Sequence, residues 1–208
     1  MADGSVLKAA LTGSIAMGKS TVAAMLREAG VAVFDADAVV HQLYARNGKA
    51  VEPVGRLFPT VVKNGEIDRA ALSKQVLNDT QAMEKLEAIV HPLVRLEQAA
   101  FLDSVKSSDS SIAVFDIPLL FETGRADEFD AVLVVSAPYE VQRARALARP
   151  GMSEEKFEAI LARQVPDEEK RAAASHVIST AVPISDTRAQ VLAIVSELQS
   201  LAGDLGHA

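Results

Sequence analysis

The chain has 208 residues, of which 49% are hydrophobic and 24% charged, and its formal net charge at pH 7 is −7. That balance suits one α/β domain with elaborations, spanning residues 1–208, and argues against a general nucleic-acid binder, which needs a basic face to displace counterions. With no cysteine, disulfides, zinc–thiolate sites and thiol catalysis are excluded. The four histidines, His41, His91, His176 and His207, are not in a metal-ligand spacing. Residues 1–5 carry no basic region followed by an apolar stretch, so no signal peptide is expected. No run approaches the ~18 apolar residues of a membrane span, which leaves the cytoplasm as the expected compartment and a membrane as no partner.

In chain order, residues 6–11 form an apolar run interrupted only by Lys8 and predict a buried strand. Gly13-Ser14-Ile15-Ala16-Met17-Gly18-Lys19-Ser20 then fits the phosphate-loop pattern G-x-x-x-x-G-K-[ST] at every fixed position, and Thr21 follows. Residues 21–28 predict a helix with Val22, Met25 and Leu26 on its apolar side and Gly30 as its stop. Strand, glycine loop and helix are the context the motif requires, and they set aside a chance match on a turn. Gly13 and Gly18 let the backbone turn its N–H groups and the helix N-terminus toward phosphate oxygens. Lys19, read as an exposed loop lysine, neutralises the β- and γ-phosphates, and the Ser20 hydroxyl ligates magnesium. The loop implies a nucleoside triphosphate ligand.

A second strand is predicted over residues 31–34, ending at Asp35-Ala36-Asp37. On an extended chain the two carboxylates point the same way. They suit a magnesium contact and a proton acceptor beside a hydroxyl being phosphorylated; equally, Asp37 suits the N-cap of a helix starting near Ala38. Residues 38–106 read as polar and mostly helical, broken near Asn47-Gly48, Phe58-Pro59 and Asn64-Gly65. A polar link over residues 107–111 leads to a third strand, 112–116, closed by Pro118. Asp116 at its end has two readings, a magnesium-supporting acid or a cap. Residues 131–135 and 176–179 predict the fourth and fifth strands, and residues 185–201 a final helix with Val191, Ile194, Val195 and Leu198 on one face. Arg143, Arg145 and Arg149, then Arg163 and Lys170-Arg171, concentrate cations as an anionic substrate requires, though charge patterning alone fits a solvated helix face as well. β-Branched runs alternating with helices indicate an α/β fold with a parallel sheet covered on both sides.

Several of these segments together resemble the dephospho-coenzyme A kinase family. They are the loop with Leu11-Thr12 before it, Asp35-Ala36-Asp37, His91-Pro92-Leu93-Val94-Arg95, and Asp116-Ile117-Pro118-Leu119-Leu120-Phe121-Glu122. Gln142, Arg145 and Arg149 have the family's spacing, and Gln164 and Glu168-Glu169-Lys170 follow. The resemblance covers about residues 7–195. It implies transfer of the ATP γ-phosphate to the ribose 3′-hydroxyl of dephospho-coenzyme A, the last step of coenzyme A synthesis. It also implies a five-stranded parallel sheet of the phosphate-loop NTPase type, a helical acceptor-binding region at about 38–106 and a lid at about 143–172. On this reading Gly13, Ala16, Met17, Gly18, Lys19, Ser20, Thr21 and Arg149 hold ATP. Ser20 is the magnesium ligand, with Asp35 or Asp116 behind it through water. Asp37 orients the 3′-hydroxyl and takes its proton, while Arg145 and Arg149 close over the phosphates. His91 and Arg95 lie on the acceptor side, or else His91-Pro92 starts a helix with a buried imidazole.

The chain departs from the family pattern in places. The loop usually reads Gly-Gly-Ile-Gly-Ser-Gly-Lys-Ser; here Ser14, Ala16 and Met17 replace small residues that the motif does not fix. The arginine usual four residues before the lid glutamine is Ile160, with Arg163 next to Gln164 instead. Ser175-His176 stands for an Ala-Asp pair and Thr180 for an asparagine near the adenine. Two other classes compete. A different small-molecule kinase, for shikimate, gluconate or a nucleoside monophosphate, shares the loop, but the glycine triplet of shikimate kinases is absent. A guanine-reading switch lacks its Asn-Lys-x-Asp segment here.

Overall fold

Apolar runs become strands because both faces of a parallel sheet are buried, and the chain is built around one such sheet. The computed structural model describes residues 6–77, 79–108 and 110–205; residues 1–5, Asp109 of the polar link and His207 lie outside them. Strand β1, Leu7–Thr12, leads through the loop into helix α1, Lys19–Glu28. The helix starts two residues earlier than its apolar pattern suggests, because the N-cap is Gly18 itself, at φ 98°. Strand β2 is Ala32–Asp35, followed by helices α2, Ala36–Tyr44, and α3, Val51–Leu57. A 3₁₀ turn at Pro59–Val61 precedes a hairpin of β3, Val62–Lys63, and β4, Glu66–Ile67. Helices α4, Arg69–Val76, and α5, Thr80–Lys106, come next. Then follow β5, Ile112–Asp116, and β6, Ala131–Ser136, with a short 3₁₀ turn at Ala126–Glu128 between them. Helices α6, Tyr139–Leu147, α7, Glu154–Leu161, and α8, Asp167–Ala172, precede β7, His176–Ser179, and α9, Ile184–Leu205.

The five-stranded sheet has the order β2-β5-β1-β6-β7. Its central strand β1 runs parallel to β5, with Leu11 opposite Asp116, and parallel to β6, with Thr12 opposite Val134. Alternation along the strands sends Leu7, Ala9, Leu11, Leu133 and Val135 into one core with α1 and α9. Ala10, Val132 and Val134 go the other way, to Leu120 and its neighbours. The loop therefore leaves the middle strand at the carboxyl edge, where open α/β sheets bind ligands. Among the described residues no helix is long and apolar enough to cross a membrane.

The contacts divide the chain into two compact units: the described residues up to Phe34 with those from Ser104 onward, and Asp35–Asp103. The second unit has its own apolar core, in which Leu43, Val54, Ile67, Leu72, Leu86 and Val90 are buried. Helices α2, α4 and α5 start on aspartates: Asp35 accepts from Ala38 N at 2.9 Å, Asp68 from Ala71 N at 3.0 Å and Asp79 from Ala82 N at 2.9 Å. Two sequence readings change here. The cap of α2 is Asp35 and not Asp37, because the helix begins at Ala36 and leaves Asp37 exposed in its first turn. His91-Pro92 does not start a helix with a buried imidazole; both residues are exposed in the interior of α5. Proline costs a helix one hydrogen bond and crowds the preceding turn. Here Leu86, Ile89 and Val90 before it, and Leu93 and Val94 after it, pack into the unit's core and carry the helix through.

Candidate active site: a phosphate loop held by distant residues

Two glycines fix the loop's path. A Cβ on Gly13 would lie 2.6 Å from Val135 O, so only glycine lets the loop press against β6. Gly18, at φ 98°, caps α1 with no side-chain hydrogen bond, so no side chain of the cap occupies the first-turn N–H groups of α1. Ala16 takes φ 61°, a left-handed conformation that costs a side chain about 1–2 kcal/mol. It is held there by burial against Ala146 and Phe157.

Side chains from the last third of the chain grip the loop. Gln164 Oε1 accepts from Ile15 N at 3.0 Å, and Gln142 Nε2 donates to Ile15 O at 2.8 Å. Thr180 Oγ1 donates to Met17 O at 2.6 Å, and Ala137 N donates to Met17 Sδ at 3.1 Å. Lys170 Nζ donates to Ser14 Oγ at 3.2 Å. The three loop residues that depart from the usual pattern thus each have a defined environment. With the carbonyls of Ile15 and Met17 bonded outward, fewer lone pairs face an incoming phosphate.

Lys19 is not an exposed loop lysine. Its side chain is 17% exposed and forms an ion pair with Asp116, itself 8% exposed at the end of β5. The two opposite charges neutralise each other. Gly13 to Thr21 line a cavity of about 600 Å³, and Arg145, Arg149 and Thr180 are among the other residues of its wall. Arg145 donates to Thr180 Oγ1 at 2.9 Å and to Thr180 O at 2.7 Å, so its guanidinium is fixed at that wall. Arg149 is exposed there. A neighbouring cavity of about 750 Å³ shares Ser14, Met17 and Gln164 with it.

The cationic stretch resolves into different roles. Arg143 pairs with Glu154 at 2.6 Å, while Arg163 and Arg171 are exposed. Lys170 is fully buried and pairs with Glu122 at 2.8 Å. Burial pushes the Glu122 carboxyl up, but the hydrogen bond from Lys170 and those from backbone N–H groups outweigh it and hold the carboxyl below the ordinary glutamate value. Sequence reading missed the glutamine clasp and this buried pair. The residues stood in quoted motifs, but nothing local says that Glu122 and Lys170 meet across 48 positions.

The structure therefore brings Gly13, Ala16, Met17, Gly18, Lys19, Ser20, Thr21, Arg145 and Arg149 to one cavity, with Asp116 joined through Lys19. Asp35, Asp37, His91 and Arg95 belong to the second unit. There His91 and Arg95, one helical turn apart, share an exposed face of α5. Among the described residues no three His, Asp or Glu side chains form a metal cage. Magnesium in a kinase needs none, since it keeps several waters and takes one or two protein oxygens plus phosphates. The exposed Ser20 hydroxyl and the Asp116 carboxylate are hard oxygen donors of that kind, so the residues fit the ion.

A parallel five-stranded sheet that carries this loop off its central strand defines a phosphate-loop NTPase fold. Residues 7–186 match the model of the family described as dephospho-CoA kinase. A dephospho-CoA kinase of Mesorhizobium japonicum is 54% identical over 93% of this chain and 97% of its own length. Among solved structures, a Thermus thermophilus protein is 37% identical with a TM-score of 0.77, covering 93% of this chain and 98% of that one. The dephospho-CoA kinase of Campylobacter jejuni is 25% identical with a TM-score of 0.64, covering 92% and 96%. The chain belongs to the dephospho-CoA kinase family, the kinases that complete coenzyme A synthesis.

Proposed function

We propose that the protein transfers the γ-phosphate of ATP to the ribose 3′-hydroxyl of dephospho-coenzyme A, giving coenzyme A and ADP, and does so with magnesium in the cytoplasm. The observation that carries the ATP end is the single cavity wall holding the phosphate loop, Lys19, Arg145 and Arg149. The acceptor end is supported by the family match across nearly the whole chain. Phosphoryl transfer passes through a loose transition state, so positioning and charge neutralisation dominate. Lys19 and the loop amides bind the β- and γ-phosphates, exchanging the Asp116 carboxylate for the nucleotide. Ser20, supported by Asp116 or Asp35, would hold magnesium, which would supply neutralisation of phosphate charge. Asp37 orients the 3′-hydroxyl and accepts its proton. Arg145 and Arg149 balance charge on the transferring group. Residues 38–106, with His91 and Arg95, take the acceptor, and residues 143–172 act as the lid.

The test is a coupled ADP-release assay with dephospho-coenzyme A, adenosine, AMP, shikimate and gluconate as acceptors. Magnesium-dependent release is expected with the first and little with the other four. Equal or faster turnover with AMP or shikimate overturns the acceptor.

A further inference from the structure

Three segments that sequence keeps far apart converge on one ammonium group. Lys170 Nζ lies 2.8 Å from Glu122 Oε1 and 3.2 Å from Ser14 Oγ, and Lys170 is fully buried. Glu122 Oε1 also accepts from Val165 N at 2.9 Å, so the same carboxylate holds the connection between α7 and α8. One residue earlier, Gln164 holds Ile15 N. Glu122 stands six residues beyond Asp116, on the segment that leaves β5. Lys170 therefore ties the phosphate loop, the segment following Asp116 and the α7–α8 connection into a single node.

A buried lysine needs a reason, because an ammonium removed from water is costly unless paired and hydrogen-bonded. If the pair served only to hold α8, Glu122 and Val165 would suffice. The third partner is the Ser14 hydroxyl, at a loop position that glycine usually fills in the family pattern. That hydroxyl gives the lysine a side-chain grip on the loop, next to the Ile15 amide that Gln164 holds. We propose that Lys170 is a positioning residue for the triphosphate, setting the loop through Ser14, with Glu122 as its counter-ion. The role rests on reading the loop as the triphosphate site.

The experiment measures magnesium-ATP affinity by calorimetry without acceptor, and the thermal midpoint without nucleotide, for Ser14→Ala, Lys170→Met and Lys170→Met/Glu122→Gln. Lys170→Met leaves a buried carboxylate uncompensated and lowers the midpoint. The double variant removes that charge, keeps an acceptor for Val165 N, and recovers most of the midpoint. ATP affinity falls on the order of 10-fold in the double variant, the effect of losing a hydrogen bond to a charged group. It falls about 3–10-fold in Ser14→Ala, whose midpoint drops less than that of Lys170→Met because Glu122 still pairs the ammonium. A purely structural pair predicts instead that affinity returns with the midpoint. Parent-like ATP affinity in both the double variant and Ser14→Ala overturns the proposal. With no acceptor present, a wrong acceptor assignment leaves these measurements untouched.

Discussion

The two units solve the same problem, ordering polar side chains, in opposite ways. Around the phosphate loop the polar contacts are long-range and partly buried: Gln142, Gln164, Lys170 and Thr180 reach residues 127 to 163 positions away. In the unit Asp35–Asp103 most of the contacts are short-range, with the exposed Lys49–Glu97 pair reaching across 48 positions. Aspartates cap helices three residues on, and pairs such as Lys63–Asp68 and Glu52–Arg56 stay on the surface. The first arrangement fixes a binding surface before the ligand arrives, and so lowers the ordering cost of binding. The second leaves Asp37, His91 and Arg95 exposed, on helices held by an apolar core.

Substitutions at the reactive positions test this contrast most sharply. Asp37→Asn should unfold near the parent temperature, since Asp35 is the cap, yet lose turnover on the order of 10²–10⁴-fold as a proton acceptor is removed. Parent-like turnover would send the search for the base to Asp35. Next in size, Lys19→Ala should lose turnover on the order of 10²–10³-fold. Unlike a surface lysine it should also lose stability, about 1–3 kcal/mol, because Asp116 is deprived of its ammonium partner. Adding Asp116→Asn should restore the thermal midpoint without activity. If Lys19→Ala alone is as stable as the parent, the ion pair contributes nothing to the fold.

Smaller effects sharpen the comparison between local and long-range order. Asp35→Ala should cost about 1 kcal/mol as an N-cap, read from chemical denaturation. Ala16→Gly should leave stability within about 1 kcal/mol of the parent. Relief of the left-handed strain, about 1–2 kcal/mol, is offset by about 0.4–1 kcal/mol of unfolded-chain freedom and by the loss of a buried methyl worth about 0.8 kcal/mol. A larger loss would mean that the Ala16 methyl is more tightly packed against Phe157 than this balance allows.

What the sequence shows and hides follows the same division. The strands Ile112–Asp116 and His176–Ser179 were legible as apolar runs between turns, and the loop as spacing. The hairpin at Val62–Ile67 was read only as a break at Asn64-Gly65, because two-residue strands have no period to detect. The helical character of α5 up to residue 106 was legible, while His91-Pro92 offered an alternative helix start that packing overrides. Lys170 was legible only as part of a charge run, since its burial is decided by partners 48 and 156 positions away. Local chemistry reads well along a chain; convergence does not.

The same convergence sets the timetable of the protein's synthesis. The loop is made first, whereas Gln142, Gln164, Lys170 and Thr180 are made 127 to 163 residues after the loop residues they hold. At a ribosomal rate of about 5–20 residues per second, the nascent loop waits roughly 8–30 s for the last of its tethers. A chain stalled before residue 142 carries the complete nucleotide motif and none of these four clamps.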